Sequence, residues 1–340
     1  RRTDNNIGIA IVINIARCDR QQAQRGHQQA AGERRCPGDT AQVRRRSQPD
    51  VGSGTQCLDC QRRKAICRSG GCRRGQGELT SRHDSRTGVD TPITRDTGLV
   101  LYHAWASTCS QKVRFALAEK GLAWQGHALS LRDFEHLSDG FLALNPDGLV
   151  PVLLHDGFKV CESSVINAYL DEVFPDPPLT PPGARGRAQV AMWSQFVDDV
   201  TSPAIKKPSY AANLGPHLHT LDPGFVAGML SRMPSETIAK RWRDAAGTGI
   251  AQGEIDQSLA ELRRSLHRMT MALAHGPWLV GATFSLADIN MAPFVARMAT
   301  LAQFDLQADW PQVHDWYRRF CSRPAIAHAC VLEHKRQPSA

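Results

Sequence analysis

The stretch LVLYHAWASTCSQKVRFALAEKGL, residues 99–122, decides the fold of this chain. Its apolar start predicts a short strand over 99–103, and its second half predicts an amphipathic helix that stops at Gly121. The predicted helix buries Val113 and Leu117. The side chains expected to stay in solvent are Lys112, Glu119 and Lys120.

The junction between this strand and helix carries chemistry. Its three hydroxyls and one thiol belong to Ser107, Thr108, Cys109 and Ser110. A helix N-terminus presents unpaired N–H groups and a partial positive charge, so the junction favours an anion such as a thiolate. The side chain of Thr108 is expected to cap the helix, with Gln111 completing a capping box.

Further motifs follow this junction in a fixed order. They are Asn145-Pro146, Leu149-Val150-Pro151, Glu162-Ser163 and Phe284-Ser285-Leu286-Ala287-Asp288. With the 107–122 segment, their order and spacing resemble the cytosolic glutathione transferase family over roughly residues 99–330. The loop is most similar to the zeta class, and the segments at 133–139 and around Trp242 resemble the bacterial β-etherase branch.

The resemblance implies an α/β thioredoxin-like N-terminal domain followed by an all-α helical domain. We expect the first domain over residues 99–174, a proline-rich linker over 175–183 and the helical domain over 184–332. Residues 1–98 are expected to be a disordered or spurious basic extension, because a segment without aromatic residues buries little apolar surface.

Periodicity gives the order of the elements. After the first helix we predict strands at 123–129, 149–154 and 158–161, with an irregular helical stretch at 131–144 and a helix at 162–174. Helices predicted in the second domain cover 184–200, a short piece around 235–246, 254–274, 286–301 and 311–322. Pro203 is expected to end the first of these.

The residue that activates the glutathione thiol stays open at this point. Resemblance to the zeta class implies Ser107, whereas resemblance to the beta class implies Cys109 as the active-site residue. A free thiol is only about 3% ionised at neutral pH. One hydrogen bond to the thiolate lowers its pKa by about 1–2 units, so a hydroxyl at this helix N-terminus is a sufficient activator.

The glutathione-binding residues follow from the resemblance. A cis peptide bond between Val150 and Pro151 would let the Val150 backbone pair with the cysteinyl part of glutathione. Glu162 and Ser163, at a helix start, would hold the γ-glutamyl group. Candidates for the glycyl carboxylate are His136, Arg132 and Lys159. Leu149 replaces a polar residue of the family.

The second substrate is expected to be a small hydrophobic electrophile. Its pocket is expected to be lined by Trp105, Ala106, Trp193, Phe196 and Val197, although the same residues could form a core between the domains. Ser285 and Asp288 form a capping-box pattern with Phe284 as its hydrophobic staple, which predicts a structural role rather than a chemical one.

Charge separates the N-terminal segment from the rest. Residues 1–98 carry 19 Arg and Lys against 10 Asp and Glu, whereas residues 99–340 carry 22 against 23. A nucleic-acid surface would therefore have to lie in the first segment. There, the spacing of Cys57, Cys60 and Cys67 resembles half of a fungal zinc cluster, and only Cys72 follows it in that segment. We attribute this incomplete pattern to chance and expect no metal.

The remaining expectations concern function and location. We expect a glutathione S-transferase that catalyses conjugation, aryl-ether cleavage or isomerisation. The alternatives are a non-catalytic binding module of the same fold and, less favoured, a zinc-cysteine DNA-binding segment at 57–72. The family implies a homodimer. No apolar run reaches the about 20 residues of a membrane span. Unpaired cysteine spacings predict a cytoplasmic protein with reduced thiols. From the charge distribution and the lack of an apolar span we expect no nucleic-acid or membrane partner.

Overall fold

A four-stranded mixed sheet forms the first part of the structure, a computed structural model that describes residues 98–329. The strands are β1 (Leu99–His103), β2 (Gln125–Ala128), β3 (Val152–His155) and β4 (Phe158–Cys161), in the spatial order β2-β1-β3-β4. Strands β1 and β2 are parallel, and the other two pairs are antiparallel. The predicted extension and its cysteine motif lie outside the described residues.

The strand register brings three predicted site segments to the same end of strands β1, β3 and β4. Tyr102 of β1 pairs with Val152 of β3, and Val152 pairs with Cys161 of β4. Neighbouring strands lie about 4.8 Å apart. The loop after β1, the Val150-Pro151 step before β3 and the Glu162-Ser163 step after β4 therefore begin within about 10 Å of one another.

Helix α1 (Thr108–Glu119) connects β1 to β2 and is buried on two sides. Val113 and Leu117 pack against the sheet, whereas Phe115 and Ala116 enter the core of the helical domain. The expectation that one face would remain in solvent is wrong. The side chains of Lys112 and Lys120 are fully buried, and that of Glu119 is 6% exposed.

The other helices follow the predicted order. The first domain continues with a 3₁₀ turn (Glu135–Leu137), α2 (Asp139–Leu144) and α3 (Ser163–Val173). The helical domain contains α4 (Gly183–Phe196), α5 (Ser202–Ser209), α6 (Gly215–Leu218), α7 (Pro223–Ser231), α8 (Glu236–Ala246), α9 (Gln252–Leu273), α10 (Leu286–Met298), α11 (Leu306–Asp309) and α12 (Pro311–Cys321). Residues 324–329 form a further helical turn.

The predicted break at Pro203 is wrong. Helix α4 runs through a π-helical turn (Val197–Thr201) into α5, and a second π-helical turn (Tyr210–Leu214) follows α5. A wider turn changes the local hydrogen-bond pattern, which allows a residue without an N–H to be accommodated without ending the helix. Residues 202–249 therefore contain three helices, α5, α6 and α7, besides the expected one near 235–246.

The predicted capping box at the start of α10 is confirmed. The hydroxyl of Ser285 accepts the N–H of Ala287, and the Asp288 carboxylate accepts the N–H of Ser285 at 3.0 Å. Asp288 also accepts bonds from the Leu279 N–H and the Trp316 indole. The box thus fixes the central helix of the second domain.

Candidate active site

Ser107 caps helix α1, so the prediction that Thr108 caps it is wrong. The backbone of Ser107 is extended, and its Oγ accepts the N–H of Ser110 at 3.2 Å. Its carbonyl accepts the N–H of Gln111, which closes the first helical turn. A hydroxyl that accepts this N–H keeps its own proton for donation. Ser107 can therefore donate a hydrogen bond to a thiolate placed at the helix N-terminus.

The other predicted activator, Cys109, lies one residue inside the same helix. Its side chain is half-buried, and its Sγ lies 3.9 Å from the Oγ of Ser202 on α5. Its thiol is free. Ser107 and Cys109 thus lie on the same helical turn, and Cys109 faces the helical domain.

Hydrogen bonds from both domains hold the loop before α1. The buried Ser110 hydroxyl accepts the N–H of Ala104 at 3.2 Å. Arg114 donates to the carbonyls of Ala104 and Trp105, at 3.0 and 3.2 Å. Arg297 on α10 donates to the carbonyl of Ala106 at 2.9 Å. The loop that carries Ser107 is therefore fixed by α1 beneath it and by the second domain.

The predicted cis peptide bond between Val150 and Pro151 is present. The side-chain amide of Asn145 donates to the carbonyl of Leu149 at 2.8 Å and so holds the approach to this step. Val150 is half-buried, and Leu149 is 41% exposed. The backbone of Val150 lies just before β3, at the end of the sheet from which the Ser107 loop leaves β1.

Glu162 and Ser163 stand at the N-terminus of α3, as predicted. Glu162 is exposed, and Ser163 is buried. Glu162 has φ +64° and ψ 113°, a left-handed conformation that residues other than glycine seldom adopt. Strained backbone of this kind concentrates at binding sites. Sequence reasoning gave no sign of it.

His136 is buried under the segment that precedes the cis proline. A Cβ on Gly148 would lie 3.4 Å from the His136 carbonyl, so the two segments are in close contact. The His136 ring lies 5.7 Å from that of Trp242, and burial lowers its pKa to about 4. Its Nδ1 has no hydrogen-bond partner among the described residues. His136 is therefore neutral at pH 7 and keeps one free ring nitrogen.

The two alternatives to His136 are placed differently. Lys159 donates to the carbonyl of Leu144 at 2.9 Å, so its ammonium is already engaged. Arg132 is half-buried and lies within electrostatic range of Arg297.

Helix α5 and the π-helical turn after it contribute residues that the sequence analysis missed. Ser202, Lys206 and Tyr210 are spaced by four residues, which places them along one face of a helix. Ser202 contacts Cys109, and both Lys206 and Tyr210 lie within electrostatic range of Cys109. The spacing was visible in the sequence, but Pro203 and Pro208 argued against a continuous helix.

Two of the residues expected to line the electrophile pocket lie in the core instead. Trp193 and Val197 are buried within the helical domain, and the Trp193 indole donates to the carbonyl of Leu279. Phe196 packs against the guanidinium of Arg268 at 4.2 Å. The helix face toward the Ser107 loop is one turn further along the chain, at Ser202.

The described residues contain a cavity that lies away from the predicted site residues. An apolar cavity of about 510 Å³ lies between α7 and α8 and contains none of the predicted site residues. Within residues 98–329, no three His, Cys, Asp or Glu side chains are grouped to hold a metal ion. In the same range, no helix is long and apolar enough to cross a membrane.

Comparison with known proteins identifies the family. The model for the glutathione S-transferase N-terminal domain matches residues 106–173, and the model for the C-terminal domain matches residues 252–319. Protein LigF from Sphingobium sp. (strain NBRC 103272 / SYK-6) is 30% identical over 235 residues, 67% of this chain and 91% of that protein. The chain belongs to the glutathione S-transferase family.

Solved structures agree with this assignment. The crystal structure of beta-etherase LigF matches the transferase with a TM-score of 0.65 at 28% identity, covering 68% of this chain and 98% of that one. A holo structure of maleylpyruvate isomerase, a bacterial zeta-class protein, matches with a TM-score of 0.54 at 25% identity, covering 71% and 100%. The maleylpyruvate isomerase of Ralstonia sp. is 41% identical over 97 residues, 28% of this chain and 46% of that protein.

These findings confirm three sequence predictions. The chain has the predicted fold and belongs to the predicted family, and the transferase is a glutathione-dependent enzyme. Similarity to both LigF and maleylpyruvate isomerase places it near the zeta-like and β-etherase-like members.

Proposed function

We propose that this transferase uses Ser107 to activate the glutathione thiol for attack on an electrophilic carbon. The single observation that supports this choice is the N-cap geometry of Ser107: its oxygen accepts the Ser110 N–H, and its proton is left for the sulfur. The helix N-terminus adds a partial positive charge at the same place. Cys109 remains the second candidate, because its sulfur faces the helical domain and lies near the Ser202 hydroxyl.

The other site residues receive binding roles in this proposal. The backbone of Val150, turned outward by the cis bond to Pro151, would pair with the cysteinyl unit of glutathione. Ser163 at the N-terminus of α3 would hold the γ-glutamyl carboxylate, and Glu162 would accept from its ammonium. Neutral His136 would donate one hydrogen bond to the glycyl carboxylate.

The reaction class follows from the thiolate. Ser107 holds the sulfur ionised, and the bond from sulfur to carbon forms as the leaving group departs with its electron pair. Conjugation of an aromatic halide and cleavage of an aryl ether both fit this step. In a cis–trans isomerisation no other group leaves: the sulfur adds to a carbon–carbon double bond, the adduct rotates about the resulting single bond, and the sulfur departs again. The similarity to LigF favours ether cleavage, and the second substrate would be a small molecule with an apolar body.

We also propose that the enzyme is a cytoplasmic homodimer. Phe158 on β4 and Val165 on α3 are 62% and 55% exposed. Tyr169, one turn after Val165, lies with its ring 6.0 Å from that of Phe158, so these side chains form one continuous apolar patch. The cysteines of the described residues are free thiols, as expected in a reducing compartment.

A titration of bound glutathione tests the assignment of Ser107. Ultraviolet absorbance of the thiolate is followed against pH in the wild type and in the Ser107→Ala, Cys109→Ala and Ser107→Thr variants. We expect the wild type and Cys109→Ala to lower the thiol pKa by about 1–2 units. Ser107→Ala should abolish the shift, and Ser107→Thr should retain part of it.

Ser285→Ala is the matched control, because it also removes a serine that caps a helix, but one with no part in the proposed glutathione site. It should reduce stability without changing the thiol pKa. A shift that survives Ser107→Ala and disappears in Cys109→Ala would assign the activation to Cys109 instead.

A further inference from the structure

The helical domain places positive charge beside the activating loop. Lys206 lies one turn beyond Ser202, whose hydroxyl is 3.9 Å from the Cys109 sulfur. Burial lowers the pKa of Lys206, and repulsion from Arg241 acts in the same direction. Cys109, Glu162 and Asp198 oppose these effects. Lys206 therefore lies within electrostatic range of both Arg241 and the Cys109 sulfur.

Neither cation has a carboxylate partner within the part of the chain that the structure describes. Asp198 is paired with Lys112 at 2.9 Å, and Glu162 is reserved for glutathione in the proposed site. The ammonium of Lys206 makes no ion pair there, and Arg241 uses only its Nε, toward the carbonyl of Thr237. By contrast, the adjacent Lys207 pairs with Glu254 at 3.3 Å.

Tyr210 adds a hydroxyl to this cluster. It lies four residues after Lys206, and its ring lies 5.9 Å from that of Trp242, the residue after Arg241. Burial raises the pKa of Tyr210, so the hydroxyl stays protonated and can donate. Arg241 and Arg297 both lie within electrostatic range of it. Lys206 and Tyr210 thus share one helix face, and Arg241 lies within electrostatic range of both.

Two half-buried cations without a counter-ion are poorly compensated unless a ligand supplies the negative charge. We propose that Lys206, Arg241 and Tyr210 form a recognition site for an anionic group, a carboxylate, on the second substrate of this transferase. The inference rests on the proposed function and narrows it: the electrophile has an apolar body that carries a carboxylate away from the reacting carbon.

The test uses two electrophiles that differ only in this charge, para-chloro-meta-nitrobenzoate and its methyl ester. With either one, the glutathione sulfur forms a bond to the chlorine-bearing carbon, and chloride leaves with the bonding electron pair. We measure kcat/KM for both and divide their ratio by the ratio of the uncatalysed rates. After this correction, the wild type should have a higher kcat/KM for the benzoate than for its methyl ester.

Variants on α5 and α8 locate the effect. Lys206→Gln and Arg241→Gln should each lower the corrected ratio about tenfold. Lys206→Arg should keep most of the wild-type corrected ratio because it keeps the charge. Lys207→Gln, on the adjacent and already paired lysine, should leave the ratio unchanged.

Two results would overturn the proposal. One is a corrected ratio that Lys206→Gln does not change. The other is an equal fall in kcat/KM for the acid and the ester together with a raised KM for glutathione, because the cations would then bind the glycyl carboxylate of glutathione itself.

Binding measurements separate this proposal from the proposed function. Isothermal calorimetry compares the two S-aryl glutathione conjugates, acid and methyl ester, in the wild type and Lys206→Gln. If neither electrophile is turned over, conjugation of an aryl halide is excluded for this pair, but tighter binding of the acid that disappears in Lys206→Gln still supports the anion site. Equal binding of the two conjugates by the wild type contradicts it.

Discussion

The ammonium of Lys112 lies 2.9 Å from a carboxylate oxygen of Asp198, and this ion pair joins helix α1 to the second domain. The Lys112 side chain is fully buried, whereas that of Asp198 is 43% exposed. Lys112 also donates to the hydroxyl of Ser164 at 2.6 Å. The helix that carries the activating residues is thus anchored by a buried charge close to the site.

The first prediction concerns this ion pair. Asp198→Asn should lower the free energy of unfolding by about 2 kcal/mol, because a buried ammonium loses its charged partner. Lys112→Met should cost less, since it leaves a half-exposed carboxylate that water can solvate. Urea unfolding measures both. Asp199→Asn is the control, because Asp199 is exposed and adjacent. Equal losses in Asp198→Asn and Asp199→Asn would contradict the role given to the pair.

The second prediction concerns the buried hydroxyl beneath the loop. Ser110→Ala removes the acceptor of the Ala104 N–H and should cost about 1–2 kcal/mol of stability. The loop should also loosen, so the KM for glutathione should rise. Ser285→Ala, a cap in α10, should cost about 1 kcal/mol without changing that KM. An unchanged KM in Ser110→Ala would show that the loop holds its position without this bond.

Local sequence pattern predicted most elements of the thioredoxin-like domain. The strands and helices follow short apolar runs and helical periodicity, and the cis peptide bond followed from the family resemblance. Pattern alone failed for Lys112 and Lys120. Their spacing marks a polar face, yet that face packs against α3 and the second domain, where partners such as Asp198 and Asp171 compensate the charges. A local pattern contains no information about such distant partners.

The candidate site was predicted less completely. The Ser107 loop, the Val150-Pro151 step and the start of α3 were found because each has its own short motif. Ser202, Lys206 and Tyr210 were missed because two prolines interrupt their helix, and π-helical turns that accommodate such residues leave no clear sequence signal.

The third prediction concerns the pH dependence of stability. Burial lowers the pKa of His136 from 6.5 to about 4. Between these values the unfolded chain binds a proton that the folded chain does not, so stability falls as the pH decreases from about 6.5 to about 4. His136→Phe should remove this component.

The measurement compares unfolding free energies of the wild type and His136→Phe at several pH values. Their difference should change with pH only within that window. His328→Gln, at an exposed position, is the control and should leave the wild-type pH dependence in place. If His136→Phe has the same pH dependence as the wild type, the imidazole does not stay neutral in the folded protein.

The final prediction concerns the apolar patch formed by Phe158, Val165 and Tyr169. Light scattering after size-exclusion chromatography should give twice the mass of one chain for the wild type. Phe158→Glu should give the mass of one chain, because a carboxylate in an apolar interface loses its hydration without gaining a partner. Phe225→Glu is a matched control, since Phe225 on α7 is 49% exposed and lies outside the patch. A Phe158→Glu variant that stays dimeric would place the interface on another surface, and a monomeric wild type would exclude the dimer itself.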